Sequence, residues 1–224
     1  MIDQSSETES ERVVAGHSVG RYTRYLRQEG TGVSRARNLA AETAADSDLL
    51  VFIDDDCTAE PGWLRALIAP FADGRVAMVF GAVETRAHDP KRGFIAGWRP
   101  KRSRVLRGRL DELHNTGAMG ACRAVRTSVA RSVRFDEMLG PGAPLHAAED
   151  MDFTYRVLKA GWWVAHEPEA FVTHWGLRSY EEGGTLMWGS PKASRRSMPS
   201  RSGSAMLSRC SSTCTRHRAH RGTC

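Results

Sequence analysis

The sequence predicts an α/β fold, a mostly parallel sheet with helices on both faces. Two observations carry that prediction. Apolar runs of strand length alternate with helix-forming segments between Val19 and Val83, the pattern of β-α-β units. One of those runs, Leu49-Leu-Val-Phe-Ile53, opens directly onto three consecutive aspartates, Asp54, Asp55 and Asp56. Ligands of open α/β sheets sit beyond the carboxyl ends of the strands, and these carboxylates lie at such an end. Packed like charges repel and raise one another's pKa unless a cation neutralises them. Hard divalent ions take oxygen ligands and bridge carboxylates to substrate phosphates. An acidic loop that merely leads into a helix is the alternative, since Asp and Thr58 are also good caps.

The elements follow in order. Val19 to Arg27 reads as a strand, and Glu29-Gly-Thr-Gly32 punctuates it. Ser34 is a natural N-cap for a helix over Arg35 to Ala45, a segment of strong helix formers. Leu49 to Ile53 has the length and composition of a buried parallel strand. Glu60-Pro-Gly-Trp63 opens a second helix, with Pro61 near its first position. Arg75 to Val83 is the next strand. Lys91 to Arg109 is strongly basic around Phe94, Ile95, Trp98, Val105 and Leu106. It reads as a substrate-covering loop, a contact for an anionic membrane, or a solvated helix face. Asn115-Thr-Gly-Ala-Met-Gly120 suits a close approach of backbone to ligand. Ala124 to Arg131 resembles a short helix, and Phe135 to Gly142 a loop. Ala147 to Ala160 is the clearest helix, with Met151, Tyr155 and Leu158 on one face and Gly161 as its stop. Glu149, Asp150 and Asp152 fall in its first turn, where the helix dipole favours anions. Trp162 to His166 and Ala170 to Trp175 read as two further strands.

Composition bounds the function. At 224 residues, 41% hydrophobic and 26% charged, the chain suits one soluble globular domain. No apolar run approaches the roughly 20 residues of a membrane span, and the first residues lack a signal-peptide pattern, so a cytoplasmic location is expected. The net charge of +6 is local: residues 187–224 hold eight basic residues and no acid, while residues 1–186 carry 24 basic against 26 acidic. Nucleic-acid binding is therefore not expected. Residues 187–224 form a Ser/Arg-rich tail, read as disordered or as translated out of frame, beyond a body over residues 1–186. Cys210, Cys214, His217 and His220 lack the apolar spacing to build a zinc finger, and no disulfide framework is implied.

Taken in order, Gly32-Val-Ser-Arg-Ala-Arg-Asn38, Phe52-Ile-Asp-Asp-Asp56, Asn115-Thr-Gly-Ala-Met119, Ala148-Glu-Asp-Met-Asp-Phe153 and Val172-Thr-His-Trp175 resemble family 2 glycosyltransferases of the GT-A fold, over roughly residues 1–180. The resemblance implies transfer of a sugar from a nucleoside-diphosphate sugar to an acceptor hydroxyl, saccharide or lipid-linked, by inverting direct displacement. It implies a divalent metal, Mg²⁺ or Mn²⁺, and a setting in polysaccharide, glycolipid or secondary-metabolite assembly, with peripheral contact at the inner membrane face. Asp54 and Asp56 match the outer carboxylates of the D-x-D motif on the metal and donor, with Asp55 between them in the donor site. Asp150 matches the base that deprotonates the acceptor, beside Glu149. His174 matches a histidine that completes the metal shell. Arg37 and Asn38 match the segment lining the nucleotide, and Asp3 an aspartate near the uracil or ribose. Asn115, Thr116 and Gly117 match a donor or acceptor loop. Family members usually begin with an apolar strand and helix before the strand that ends at the Asp3 position. That first β-α unit is expected to be absent here, leaving an exposed apolar sheet edge. The rival expectation is an inactive remnant or binding protein of the same fold.

Overall fold

The computed structural model describes residues 1–16, 24–44, 46–108 and 119–181. Its strands are β1 (Ile2–Asp3), β2 (Leu26–Arg27), β3 (Leu49–Ile53), β4 (Cys57–Ala59), β5 (Val76–Thr85), β6 (Phe94–Ile95), β7 (Arg104–Leu106), β8 (Cys122–Arg126), β9 (Trp163–His174) and β10 (Leu177–Arg178). Its α-helices are α1 (Glu9–Gly16), α2 (Val33–Thr43), α3 (Trp63–Ile68), α4 (Thr127–Val133) and α5 (Glu149–Lys159). The Ser/Arg-rich tail and Asn115, Thr116 and Gly117 lie outside the described residues.

The central sheet runs β3-β8-β5-β9-β4, with β7 also paired to β9. Strands β3, β5 and β9 run in one direction, as the alternating pattern predicts. The sequence pattern did not reveal that β8 lies antiparallel between β3 and β5. Residues 124–126, expected in a short helix, complete that strand instead. β8 is buried on both faces, and the helix begins only at Thr127. The two strands expected after Gly161 are one long β9 with an irregular pairing opposite Gly81 and Ala82. No described part of the basic segment 91–108 is helical; it contributes the short β6 and β7.

Helices cover both faces. Ala41 of α2, Val129 of α4 and Phe153 and Val157 of α5 pack with Met78, Phe80 and Val125 on one side. Leu67 of α3 and the adjoining Phe71 pack with Val79, Val83 and Val172 on the other. Helix α5 turns a different face inward from the expected one. Met151 and Tyr155 are exposed, and Phe153, Thr154, Val157 and Leu158 are buried. Ser34 sits inside α2 rather than capping it, because its hydroxyl is drawn to the Leu139 carbonyl at 2.7 Å.

Strand β3 is an edge, not a strand buried between neighbours. It pairs with β8 on one side, and among the described residues its other side has no strand partner. Val51 is 37% and Ile53 40% exposed. β1 and β2 form a separate two-stranded parallel sheet. A cavity of about 520 Å³ lies between the two sheets, floored by Val33, Ala36 and Ala40 of α2 and ending at Arg37 and Asp54. The open apolar edge expected from the sequence is therefore present.

Candidate active site

Two clusters meet at the carboxyl end of β3. The first is built by β4 and β9, whose antiparallel register sets Cys57 opposite His174. Asp56, immediately before β4, faces the histidine: His174 Nε2 lies 3.1 Å from Asp56 Oδ2. His174 Nδ1 lies 2.7 Å from the Ala96 carbonyl, which can only accept, so Nδ1 carries the hydrogen. A neutral His174 then turns its Nε2 lone pair on a carboxylate oxygen, an arrangement that a proton or a metal ion between them relieves. A carbonyl that fixes the tautomer of a ligating histidine is the usual support of such ligands. Ligand atoms of Asp56, Cys57 and His174 all lie within 4.8 Å of one another. A side chain at Gly176 would fill this cradle, since its Cβ would stand 2.2 Å from Asp56 Oδ2 and 2.9 Å from His174 Nε2. The donor set thus fits a divalent ion. The Cys57 thiol is pushed up to about 12 by burial, with Asp54 and Asp56 adding to it. Trp175 frames the cluster: its backbone N–H donates to the Asp56 carbonyl at 2.8 Å, and its indole N–H to Thr58 Oγ1 at 2.9 Å.

The second cluster is built by α2, β8 and α5. Ala148 precedes α5 in the left-handed region, at φ 74°, a costly conformation for a residue with a Cβ and one common at functional sites. It delivers Glu149 and Asp150 into the interior. Arg37 Nη1 donates to Glu149 Oε1 at 3.2 Å and to Asp150 Oδ1 at 3.0 Å. Arg123 Nη1 donates to the same Asp150 oxygen at 2.5 Å, and the Gly120 N–H to Oδ2 at 3.0 Å. Burial alone would raise the Asp150 carboxyl, but the Arg123 and Arg37 guanidiniums outweigh it and hold it below the usual carboxylate range. Glu149 moves the other way, raised by burial and by the Asp150 charge against the pull of Arg37. Burial lowers Arg123 to about 10, with Asp150 opposing.

Asp54 stands between the clusters at the solvent-open rim of the cavity. Desolvation by its surroundings raises its carboxyl, Arg37 opposes this, and Asp150 and Asp56 add to it. It is not part of the Asp56, Cys57 and His174 group. Asp55 is exposed. Asn38 is 3% exposed, and its amide is occupied by the following loop: Nδ2 donates to the Phe135 carbonyl and to Glu137 Oε1, and Oδ1 accepts from the Phe135 N–H. It therefore braces the loop behind the site. Asp3 ends β1 next to Ile2, which lines the cavity, and accepts from the Ser5 N–H and the Tyr25 hydroxyl, which lower its carboxyl. Sequence reasoning missed Arg123 and Gly176. It read Gly120 within a glycine-rich stretch suited to a close backbone approach, and the group that backbone meets is Asp150.

With this geometry established, comparison with known proteins is direct. A profile described as Glycosyl transferase family 2 matches residues 1–134. The chain belongs to glycosyl transferase family 2. This family 2 chain is 28% identical over 185 residues to the pre-mycofactocin glycosyltransferases of two Mycobacterium tuberculosis strains, CDC 1551 / Oshkosh and H37Rv. The match covers 78% of this chain and 36% of each relative, so the chain spans about a third of their length. Its fold is similar to that of GalNAc-T7, solved with UDP, GalNAc and Mn²⁺, at 17% identity and a TM-score of 0.57, covering 79% of this chain and 37% of that one. It is also similar to residues 1–349 of TarS from S. aureus, solved with UDP-GlcNAc, at 15% identity and a TM-score of 0.59, covering 81% and 50%. The family 2 chain thus has the GT-A fold. No helix among its described residues is long and apolar enough to cross a membrane.

Proposed function

We propose that this chain moves a glycosyl group from a nucleoside-diphosphate sugar to an acceptor hydroxyl, with a divalent cation, by direct displacement with inversion. The observation that carries the reading is His174 Nε2 set 3.1 Å from Asp56 Oδ2 while its Nδ1 is held by the Ala96 carbonyl. Asp56 and His174, with Asp54 completing the acidic side, would hold Mg²⁺ or Mn²⁺. The cation would supply positive charge to the diphosphate as it leaves. Family membership and relatives solved with UDP, UDP-GlcNAc and Mn²⁺ support the donor class.

The chain's own residues do the rest. Asp150 receives the proton of the attacking hydroxyl. Both lone pairs of its Oδ1 are engaged by Arg37 and Arg123, so Oδ2, which among the described residues accepts only the Gly120 N–H, is the atom with room for that proton. The side chain of Asp150 is 21% exposed, enough to meet a substrate, whereas Arg123 behind it is fully buried. Arg37 ties Asp150 to Glu149 and faces the cavity that ends at Asp54. Asp54, Asp55 and Asp3 would border the donor side. A cytoplasmic enzyme with peripheral membrane contact is in keeping with the basic 91–108 segment.

The test is hydrolysis or transfer of UDP-sugars in the presence of Mn²⁺. Asp56→Ala and Asp150→Asn are each expected to lower kcat by about 10²-fold or more, the scale of a lost acid-base or charge-stabilising group. Undiminished activity in either variant refutes its assigned role.

A further inference from the structure

We infer that Arg123 is a positioning residue for the reaction, fixing the Asp150 carboxylate so that Oδ2 alone faces the substrate. This rests on the reading of Asp150 as the base. Arg123 lies in β8, and its side chain is fully buried. A buried arginine normally has most of its N–H groups satisfied, and each one left unmade is costly. Among the described residues only Nη1 has a partner, Asp150 Oδ1, while Nε and Nη2 have none. The guanidinium is enclosed by aromatic rings, with its carbon 5.1 Å from the Phe52 centroid, 5.9 Å from Phe80 and 5.0 Å from Phe135. Ring faces attract a cation and offset part of its desolvation. A strand position occupied by valine or alanine would pack there without that cost, so the placement is hard to explain by core stability.

The single side-chain bond Arg123 makes among the described residues is directed at the proposed base. It arrives on the oxygen that Arg37 also engages. The Gly120 N–H holds the other oxygen, and a Cβ at Gly120 would stand 2.5 Å from Oδ2 and 2.8 Å from Oδ1. Strand β8, the turn before it and α2 thus grip the carboxylate from three directions. The charged groups facing it are Arg123 of β8, Arg37 of α2, Glu149 of α5 and Asp54 at the end of β3. Two cations and two other carboxylates surround one base, so its ionisation and its orientation both depend on the buried partner.

The experiment is ¹³C NMR of protein carrying ¹³Cγ-labelled aspartate, with Asp150→Asn identifying the Asp150 signal. In the wild type that signal is expected to titrate below the ordinary carboxylate range. In Arg123→Met it is expected to move up by about one pH unit or more, the effect of removing an adjacent guanidinium. An unchanged midpoint in a folded Arg123→Met protein overturns the inference. Should Arg123→Met fail to fold, Arg123→Lys keeps the charge and loses the planar fork. It is expected to leave Asp150 ionised while Mn²⁺-dependent UDP-glucose hydrolysis falls about tenfold in kcat at unchanged KM; wild-type kcat overturns the inference. Full hydrolysis by Asp150→Asn would sink the base reading and with it the role of Arg123 in the reaction, whereas an unchanged titration beside an inactive Asp150→Asn would sink the Arg123 inference alone.

Discussion

At the scale of single residues, the site is held by close approaches that leave no space for a methyl group. Gly120→Ala is expected to push Asp150 off its donors and lower kcat by about tenfold, with little change in the melting temperature because the strand beyond it is intact. Steady-state kinetics beside a thermal melt checks this, and a variant that loses stability but not rate would contradict it. Gly176→Ala is expected to act on the other cluster, raising the Mn²⁺ concentration needed for half-maximal activity by about tenfold, because its Cβ would enter the space between Asp56 and His174. Asp54 and Asp56 were legible as a carboxylate cluster at a strand end, whereas Asp150 and His174 stood out only through the resemblance to family 2 glycosyltransferases. Arg123 was not legible at all. An arginine within a short apolar strand reads as a solvent-facing residue, and its partner lies 27 positions downstream in another element. Asn38 illustrates the opposite failure: a polar residue beside a motif looked like a ligand contact, but its amide closes a loop.

At the scale of elements, β9 carries both His174 and His166, in opposite chemical settings. His166 is 3% exposed, edge-on to Phe80 and Trp98, and its Nε2 has no hydrogen-bond partner among the described residues. Burial lowers its pKa to about 4, and Arg104, opposite it on β7, adds to the effect. Between pH about 4 and its ordinary value of 6.5 the unfolded chain binds a proton that the folded chain does not. Stability therefore falls as pH drops through that window, by at most about 3 kcal/mol, and is fully present above it. Thermal melts at pH 5 and 7 check this: His166→Phe should flatten the difference, and an unaltered difference would contradict it. Element type was legible where periodicity was long, as in α2, α5 and the apolar β5. It failed at β8, whose five residues sit directly against α4 and whose strand identity comes only from pairing with β3 and β5. Local propensity cannot see partners far away in the chain. The inward face of α5 was missed for a related reason: the Arg37 and Arg123 cluster pulls Glu149 and Asp150 inward and rotates Met151 and Tyr155 to solvent.

At the scale of the molecule, β3 has no strand partner on its outer side among the described residues. An apolar strand with one unpaired side is a template for intermolecular pairing. Val51→Lys places a charge on that edge and is expected to raise the monomer fraction in size-exclusion chromatography, and an unchanged elution profile would contradict the assignment. The cavity beside that edge is lined by Met1 and Ile2 at β1, by Val33, Ala36 and Ala40 of α2, and by Leu50 to Asp54 along β3. Asp56 and His174 are expected to make this rim a metal-dependent nucleoside-diphosphate site. Calorimetric titration of UDP and GDP into the protein, with Mn²⁺ or with EDTA, tests it most directly. At least one nucleotide is expected to bind with Mn²⁺ and to lose about tenfold or more in affinity with EDTA, in Asp56→Ala and in His174→Ala. Failure of both nucleotides to bind, or affinity indifferent to the ion and to both substitutions, would contradict it.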